Sequence, residues 1–258
     1  MKTQALKLEY YSYFERMKKE PTAVFYRGDT ELLTRAKISI VGTRKPTQYT
    51  KQMTADLAHG LASAGVVIVS GGAMGVDGQA HFGAGYANTI VVMPSGLDLF
   101  YPTGHRSMFE KIEKEGLLLS MYEDGIKAAN WTFVQRNEMV VALGDVLIVS
   151  EALRDSGSMR SVAFAQKMGK KIYTLAHRMG ESEGTMDLVK RGEAEVIYDI
   201  DAFVAQYGVT KQVEADSFLQ FCQGTPSYEE TLKLYGEQLA IYELEGKIII
   251  KDGRVRLA

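Results

Sequence analysis

Four stretches of this chain combine glycine, small hydroxyl residues and cations in ways that suit an anion. "IVGTRKPTQYT" (40–50) carries Gly42, Thr43, Arg44 and Lys45 just ahead of Pro46. Proline favours the first turn of a helix, where its missing N–H costs nothing. The free amides and dipole of a helix start attract negative charge. Two cations at that end oppose the dipole unless an anion joins them, and an arginine grips phosphate with two parallel hydrogen bonds. "VVIVSGGAMGVDGQAH" (66–81) sets Ser70, Gly71, Gly72 and Ala73 between a buried strand and a helix start near Asp77. Glycines there let the backbone turn sharply and a ligand come close. The spacing is neither a Walker A loop nor G-x-G-x-x-G, and Asp77 also suits a helix cap. "SEALRDSGSMRSVAFAQK" (150–167) repeats the pattern with Gly157, and with Ser156 or Ser158 in a capping place. In "NWTFVQRNEMV" (130–140), Trp131 and Phe133 stand close to Arg136 and Asn137. A ring for base stacking beside a cation for phosphate is what single-stranded nucleic acid needs. The same rings suit the buried face of a helix. Core is the expectation for Trp131, and both roles stay open for Phe133.

Catalytic machinery is not expected. Glu151, Asp77, Asp98 and Asp145 lie at element ends, and a carboxylate with an arginine would serve glycosidic hydrolysis at a nucleotide. No nucleophile–base pair accompanies them. His81 is expected to be structural. His59, His81, His105 and His177 show no i,i+4 pair for a metal, and the single Cys222 excludes a disulfide or a cysteine zinc site within a monomer. No cofactor and no metal are expected. Lys167, Lys170 and Lys171 are read as solvated.

The elements that position these loops follow from short apolar runs alternating with amphipathic segments: "KISIV" (37–41), "VVIVS" (66–70), "NTIVVM" (88–93), "GLLLS" (116–120), "DVLIVS" (145–150), "KIYTLA" (171–176) and "AEVIYD" (194–199). The runs are apolar on consecutive positions, the pattern of parallel strands covered on both faces. Gly65, Gly116, Gly144 and Gly169 precede strands, where left-handed C′ residues would end helices. The alternation predicts a Rossmann-like, doubly wound, mostly parallel sheet of about seven strands, with ligands beyond their carboxyl ends. Three of the four stretches then share one edge, a polyamide rim suited to an extended polyanion.

Residues 1–36 are read as an N-terminal helical extension and lead-in, 37–207 as the sheet domain, 208–216 as a polar linker and 217–258 as a small second domain. Short helices followed by a hairpin at Asp252-Gly253, a type I′ signal, give that domain a winged-helix-like pattern. The 258 residues, 46% hydrophobic, suffice for one sizeable core, and a net charge of −2 confines any anion site to a local cluster of cations. Neither a signal peptide nor a membrane span is visible, so a soluble cytoplasmic protein without membrane partners is expected.

With these loops in place the chain resembles the DNA-processing protein A (DprA, also Smf) family. The resemblance is carried by "IVGTR" (40–44), "VSGGAMGVDGQAH" (69–81), "GLD" (96–98) with "YP" (101–102), "LLLS" (117–120), "FVQRN" (133–137) and "EALRDSGSM" (151–159), in family order through about 20–200. It implies a fold that binds single-stranded DNA, protects incoming strands in natural transformation, helps load a RecA-type recombinase and acts as a homodimer. By motif match the strand-binding role falls on Gly42, Thr43, Arg44, Ser70, Gly71, Gly72, Ala73, Phe133, Arg136 and Asn137, followed by Gly157 and Ser158, with Lys45 as a further cation. The longer members' N-terminal helical domain is expected to be missing or reduced, and the C-terminal piece resembles their small winged-helix-like domain. Glu138 and Asp155 stand where the family commonly carries cations. They lower the expected affinity per protomer unless Lys45 or Arg160 compensates.

A nucleotide sensor or phosphoribohydrolase is the alternative. Hydrolases of that kind carry Pro-Gly-Gly-x-Gly-Thr-x-x-Glu, whereas residues 70–78 lack the threonine and the downstream glutamate. DNA binding by the C-terminal module alone is disfavoured by its acidic helices, which suit protein contact better.

Overall fold

The computed structural model describes residues 2–207, 217–222, 224–244, 247–251 and 253–257. The polar linker 208–216 and Asp252 of the hairpin turn lie outside the described residues. The chain divides into two compact units, 1–208 and 209–258.

The first unit is a nine-stranded sheet in the order β1-β2-β6-β5-β4-β3-β7-β8-β9. Its parallel strands are β3 (Lys37–Val41), β4 (Val67–Ser70), β5 (Thr89–Met93), β6 (Leu117–Ser120), β7 (Val146–Val149), β8 (Ile172–Leu175) and β9 (Glu195–Ile197). The apolar runs therefore form a doubly wound sheet, as their pattern requires. The N-terminal segment corrects the reading of a helical extension. It supplies β1 (Gln4–Ala5) and β2 (Phe25–Gly28), which run antiparallel on the edge beside β6, with a 3-10 turn at Leu8–Phe14 between them. Phe25–Gly28 is only half-buried and too short to show a periodicity. Its pairing with Leu117–Ser120 decides its state.

Both sheet faces are covered. Ile38, Ile40, Ile68 and Ile148 pack with Leu57, Leu61, Val76 and Ala80 of α1 (Gln48–Ser63) and α2 (Val76–Ala84). Val91, Met93 and Leu118 meet Phe109 and Ile112 of α3 (Arg106–Glu115). The alternate residues Val69, Val92, Leu119, Leu147 and Val149 pack with α4 (Asn130–Leu143) and α5 (Gly157–Lys167) through Met139, Val140, Leu143, Val162 and Ala165. Burying each such aliphatic chain contributes about 1.5–3 kcal/mol. Two further helices, α6 (Glu183–Lys190) and α7 (Ile200–Val204), complete the unit.

Of the four glycines expected to be left-handed, Gly65 (φ +89°) and Gly169 (φ +68°) are. Gly116 (φ −122°) and Gly144 (φ −79°) are not. A side chain at Gly116 would strike the carbonyl oxygens of Tyr86 and of Thr89, and one at Gly144 the Ser39 backbone. Close approach to a neighbouring strand, not helix termination, demands glycine there.

The second unit holds α8 (Ser217–Cys222), α9 (Tyr228–Tyr235) and α10 (Glu237–Leu244), then the antiparallel strands β10 (Ile248–Lys251) and β11 (Arg254–Leu257). Phe218, Cys222, Leu239, Ile248 and Val255 form its core, with Tyr235 edge-on to Phe218 at 5.0 Å.

Candidate nucleic-acid interface

The strand order reverses between β3 and β7. From β3 the chain winds outward through β4, β5 and β6, then restarts at β7 and winds the other way. The loops leaving β3 and β7 therefore part at the carboxyl edge, which opens a crevice at that point in such sheets. A cleft of about 310 Å³ lies there, walled by Gly42, Thr43 and Arg44 after β3, Gly71, Ala73 and Asp77 after β4, Arg136 and Asn137 of α4, and Ser156, Gly157 and Ser158 at the start of α5.

Backbone contacts stitch the walls together. The Thr43 amide donates to the Glu151 carbonyl oxygen (2.8 Å), and the Val76 amide to the Thr43 carbonyl oxygen (3.1 Å). Gly75, at φ +90°, packs so closely on this loop that a Cβ would come within 2.6 Å of the Arg44 carbonyl carbon. Helix α1 starts later than Pro46 suggests. Thr47 is its cap, its hydroxyl accepting from the Thr50 amide (3.2 Å), and Glu151 accepts from the Thr47 amide (3.0 Å). Arg44 and Lys45 therefore belong to the loop and do not sit on the helix end.

Arg136 is 4% exposed. Its Nη1 donates to the carbonyl oxygens of Gly71 and, at 3.1 Å, Val92, and its Nε to Asn137 Oδ1 (3.0 Å). The sequence reading placed this guanidinium on the ligand. It braces the glycine loop from within the protein and also lines the cleft and the slot beside Phe133. Thr132, Arg136, Met139, Val140 and Leu143 form the buried stripe of α4, and that i, i+4, i+7 spacing was the available signal. Asp77 is corrected as well. It is the second residue of α2, not its cap, and its carboxylate accepts from the Ala73 amide (3.3 Å). Burial pushes its carboxyl above the usual carboxylate range, against the opposing pull of Arg136. Burial likewise lowers Arg136, with Asp77 opposing. Exposed Arg44 adds a positive charge at the mouth of the cleft.

Arg44 lies over the Phe133 ring, Cζ 5.6 Å from its centroid, and Tyr101 meets Phe133 edge-on at 5.4 Å. A slot of about 70 Å³ opens beside them, lined by Arg44, Met74, Tyr101 and Phe133 among others. Gly157 and Ser158 open α5, where first-turn amides have no intrahelical acceptor. Next to them the Ser156 Oγ is buried without a hydrogen-bond partner, although the residue stands in the cap position. The motif residues thus divide. Gly42, Thr43, Arg44, Gly71, Ala73, Arg136, Asn137, Gly157 and Ser158 line the cleft, with Phe133 at the adjoining slot. Ser70 does not face it: its buried hydroxyl donates to the Ile40 carbonyl oxygen (2.6 Å). Gly72 is packed where a Cβ would meet Phe109, and its carbonyl oxygen accepts from His105 Nδ1 (3.0 Å). Lys45 lies outside the cleft, along a neighbouring groove.

Several other expectations change. Trp131 is 56% exposed and edge-on to Tyr122 at 5.5 Å, so it is no core residue. Lys170 is not solvated. It donates to the carbonyl oxygens of Val141 and Ala142 (both 2.7 Å) and of Gly144, placing its charge at the negative end of α4. Glu138 turns from the cleft to accept from the Lys18 amide (2.7 Å). His81 is structural: it is fully buried, with Nδ1 2.5 Å from Thr89 Oγ1. Among the described residues no group of His, Cys, Asp and Glu could hold a metal ion, and no helix is long and apolar enough to cross a membrane.

The family model for DNA recombination-mediator protein A matches residues 4–208. The chain is 35% identical over 175 residues to protein Smf of Synechocystis sp., covering 66% of this chain and 44% of that one. It is 34% identical over 182 residues to a putative DNA processing protein DprA of Mycobacterium tuberculosis, covering 69% and 46%. The matched segment thus spans a little under half of these relatives' length. Among solved structures, DNA processing protein A of Helicobacter pylori, studied for its single-stranded DNA binding mode, superimposes with a TM-score of 0.77 at 40% identity over 80% of this chain and 95% of that one. DprA of Streptococcus pneumoniae gives 0.74 at 28% identity over 80% and 75%. The match of the family model across the whole sheet unit, with the glycine loops and Arg44 gathered at its switch point, makes this chain a member of the DNA recombination-mediator protein A family.

Proposed function

We propose that this protein binds single-stranded DNA across the loop rim and acts by binding, without chemistry of its own. The observation that carries this is exposed Arg44 stacked over Phe133 at the mouth of a cleft walled by three strand-end loops. Phosphates take the Arg44 guanidinium, the Ser156 hydroxyl and the first amides of α5, and one base occupies the slot beside Phe133. Contacts of this kind carry little base information, so sequence preference is modest. The related structure from Helicobacter pylori, concerned with single-strand binding, supports the assignment. In the cell the protein shields incoming strands in natural transformation and helps a RecA-type recombinase load on them. It works in the cytoplasm as a homodimer, since two linked protomers hold one strand far more tightly than one. The C-terminal unit, whose described residues hold α8, α9, α10 and the β10–β11 pair, serves protein contact as a winged-helix-like module.

Fluorescence anisotropy with labelled oligo-dT, across a salt series and with duplex and mononucleotide competitors, tests the proposal. Tight binding that weakens with salt and ignores mononucleotides is expected. Displacement by one mononucleotide, with weak strand binding, would replace it with a nucleotide-sensing role.

A further inference from the structure

We propose, building on the single-strand reading above, that the strand continues from the rim onto the outer face of the α1–α2 pair, where Phe82 is a second stacking platform and Lys45 and Lys51 hold its backbone. Phe82 is 68% exposed, an unusual placement for a large ring. It closes the groove-lining row Gly75, Gly78, Gln79, Phe82 along α2 and its cap, spaced i, i+3, i+4, i+7, in which Gly78 is buried and Phe82 exposed, while Val76, Ala80 and Ala84 face the core. The row runs about 10 Å along the helix.

Two grooves join over this row. One, of about 590 Å³, starts at Arg44 and Lys45 and passes Gly75 to reach Phe82. The other, of about 430 Å³, runs from Phe82 to Gln52 and His59 of α1. They share Lys51, Gln79 and Phe82, and the first shares Arg44 with the cleft at the switch point. One cation therefore belongs to both surfaces, and a strand leaving the cleft over Arg44 enters the groove directly. The two helices cross tightly, since a Cβ at Gly83 would lie 2.7 Å from Ala55 Cα. Their outer faces consequently form one continuous floor.

The charges suit a polyanion. Among the described residues Arg44, Lys45 and Lys51 make no ion pair and outnumber Asp56, the carboxylate of the second groove, which accepts from the Gln52 side-chain amide (2.8 Å). A protein-binding patch would cluster apolar side chains and lack lysine at its centre. Here the exposed Phe82 ring stands with Lys45, Lys51 and Gln79, beside Tyr86, His105, Met74 and Met108, and cations interleaved with rings suit a single-strand track.

The test measures anisotropy with oligo-dT of about 6 and about 20 nucleotides, short and long against common single-strand site sizes. Wild type, Phe82→Ala and Lys51→Ala are compared, with circular dichroism verifying the fold. For the long strand, Phe82→Ala is expected to lower affinity roughly fivefold or more, and Lys51→Ala to reduce the salt slope by about 0.7. Affinity for the short strand stays unchanged in both. Unaltered long-strand binding, or equal losses at both lengths, overturns the proposal while leaving the rim assignment standing. A change of molecular mass on Phe82→Ala with DNA affinity intact overturns it in favour of a protein contact. Failure of the wild type to bind either length would remove the single-strand reading itself.

Discussion

The Nη1 of Arg136 donates to the carbonyl oxygen of Gly71, and the guanidinium fills the space that any side chain at Gly71 would need. A helix on one face of the sheet thus fixes the shape of a loop at its carboxyl edge. The glycine serves this approach of the arginine, leaving the loop's outer side to line the cleft.

This brace predicts a stability effect. Removing the guanidinium takes its hydrogen bonds from the buried carbonyl oxygens of Gly71 and Val92, a loss of about 1–3 kcal/mol for each group left unsatisfied. Arg136→Met should lower the unfolding free energy by that order in urea titrations, with Arg136→Lys in between. Unchanged stability would mean that the guanidinium is free to serve the ligand.

Arg44 and Phe133 separate by their salt dependence. Arg44→Ala should weaken oligo-dT binding and reduce the slope of log K against log salt by about 0.7 for each phosphate released. Phe133→Ala removes base–aromatic stacking, about 1–3 kcal/mol, and should leave the slope unchanged. Both variants stay folded, because Arg44 is exposed and Phe133 only half-buried.

Gly75 combines φ +90° with backbone of Arg44 at 2.6 and 2.7 Å from a would-be Cβ. Gly75→Ala incurs left-handed strain of about 1–2 kcal/mol besides displacing that loop. Lower denaturant midpoints together with weakened strand binding are expected. Normal binding would show that the two loops are not mechanically linked.

His81 predicts a pH effect. Burial, with the charges of His105 and Arg136, pushes its imidazole down to about 3, whereas an unfolded histidine titrates near 6.5. As pH falls below about 6.5 the unfolded chain takes up a proton that the folded one refuses. Stability is therefore complete above that pH and declines by roughly 1.4 kcal/mol per unit towards about 3. His81→Gln should flatten this part of the profile in denaturation at pH 7, 6, 5 and 4. An unaltered slope would place the acid sensitivity elsewhere.

Much of the site was legible because its signals are local. Gly42, Gly71 and Gly157 follow apolar runs, and runs apolar on consecutive residues are parallel strands whose exits share an edge. The burial of Arg136 and Ser70 is not legible from the residues alone, because a polar side chain facing inward looks no different in the chain from one facing out. The buried stripe of α4 could have betrayed Arg136, and the groove-lining row of α2 carries Phe82.

By itself the sequence determined the doubly wound sheet, the loops that end its strands, and the cation and ring that stand near them, all through preferences expressed within a few residues. Only the tertiary structure decided that β7 lies beside β3, so that Gly42 and Gly157 face one cleft, and that residues 4–28 close the opposite edge. It alone turned Arg136 inward to Gly71 and left Arg44 outside. Strand order and burial depend on partners tens to more than a hundred residues away, and no local propensity encodes which carbonyl a guanidinium will meet.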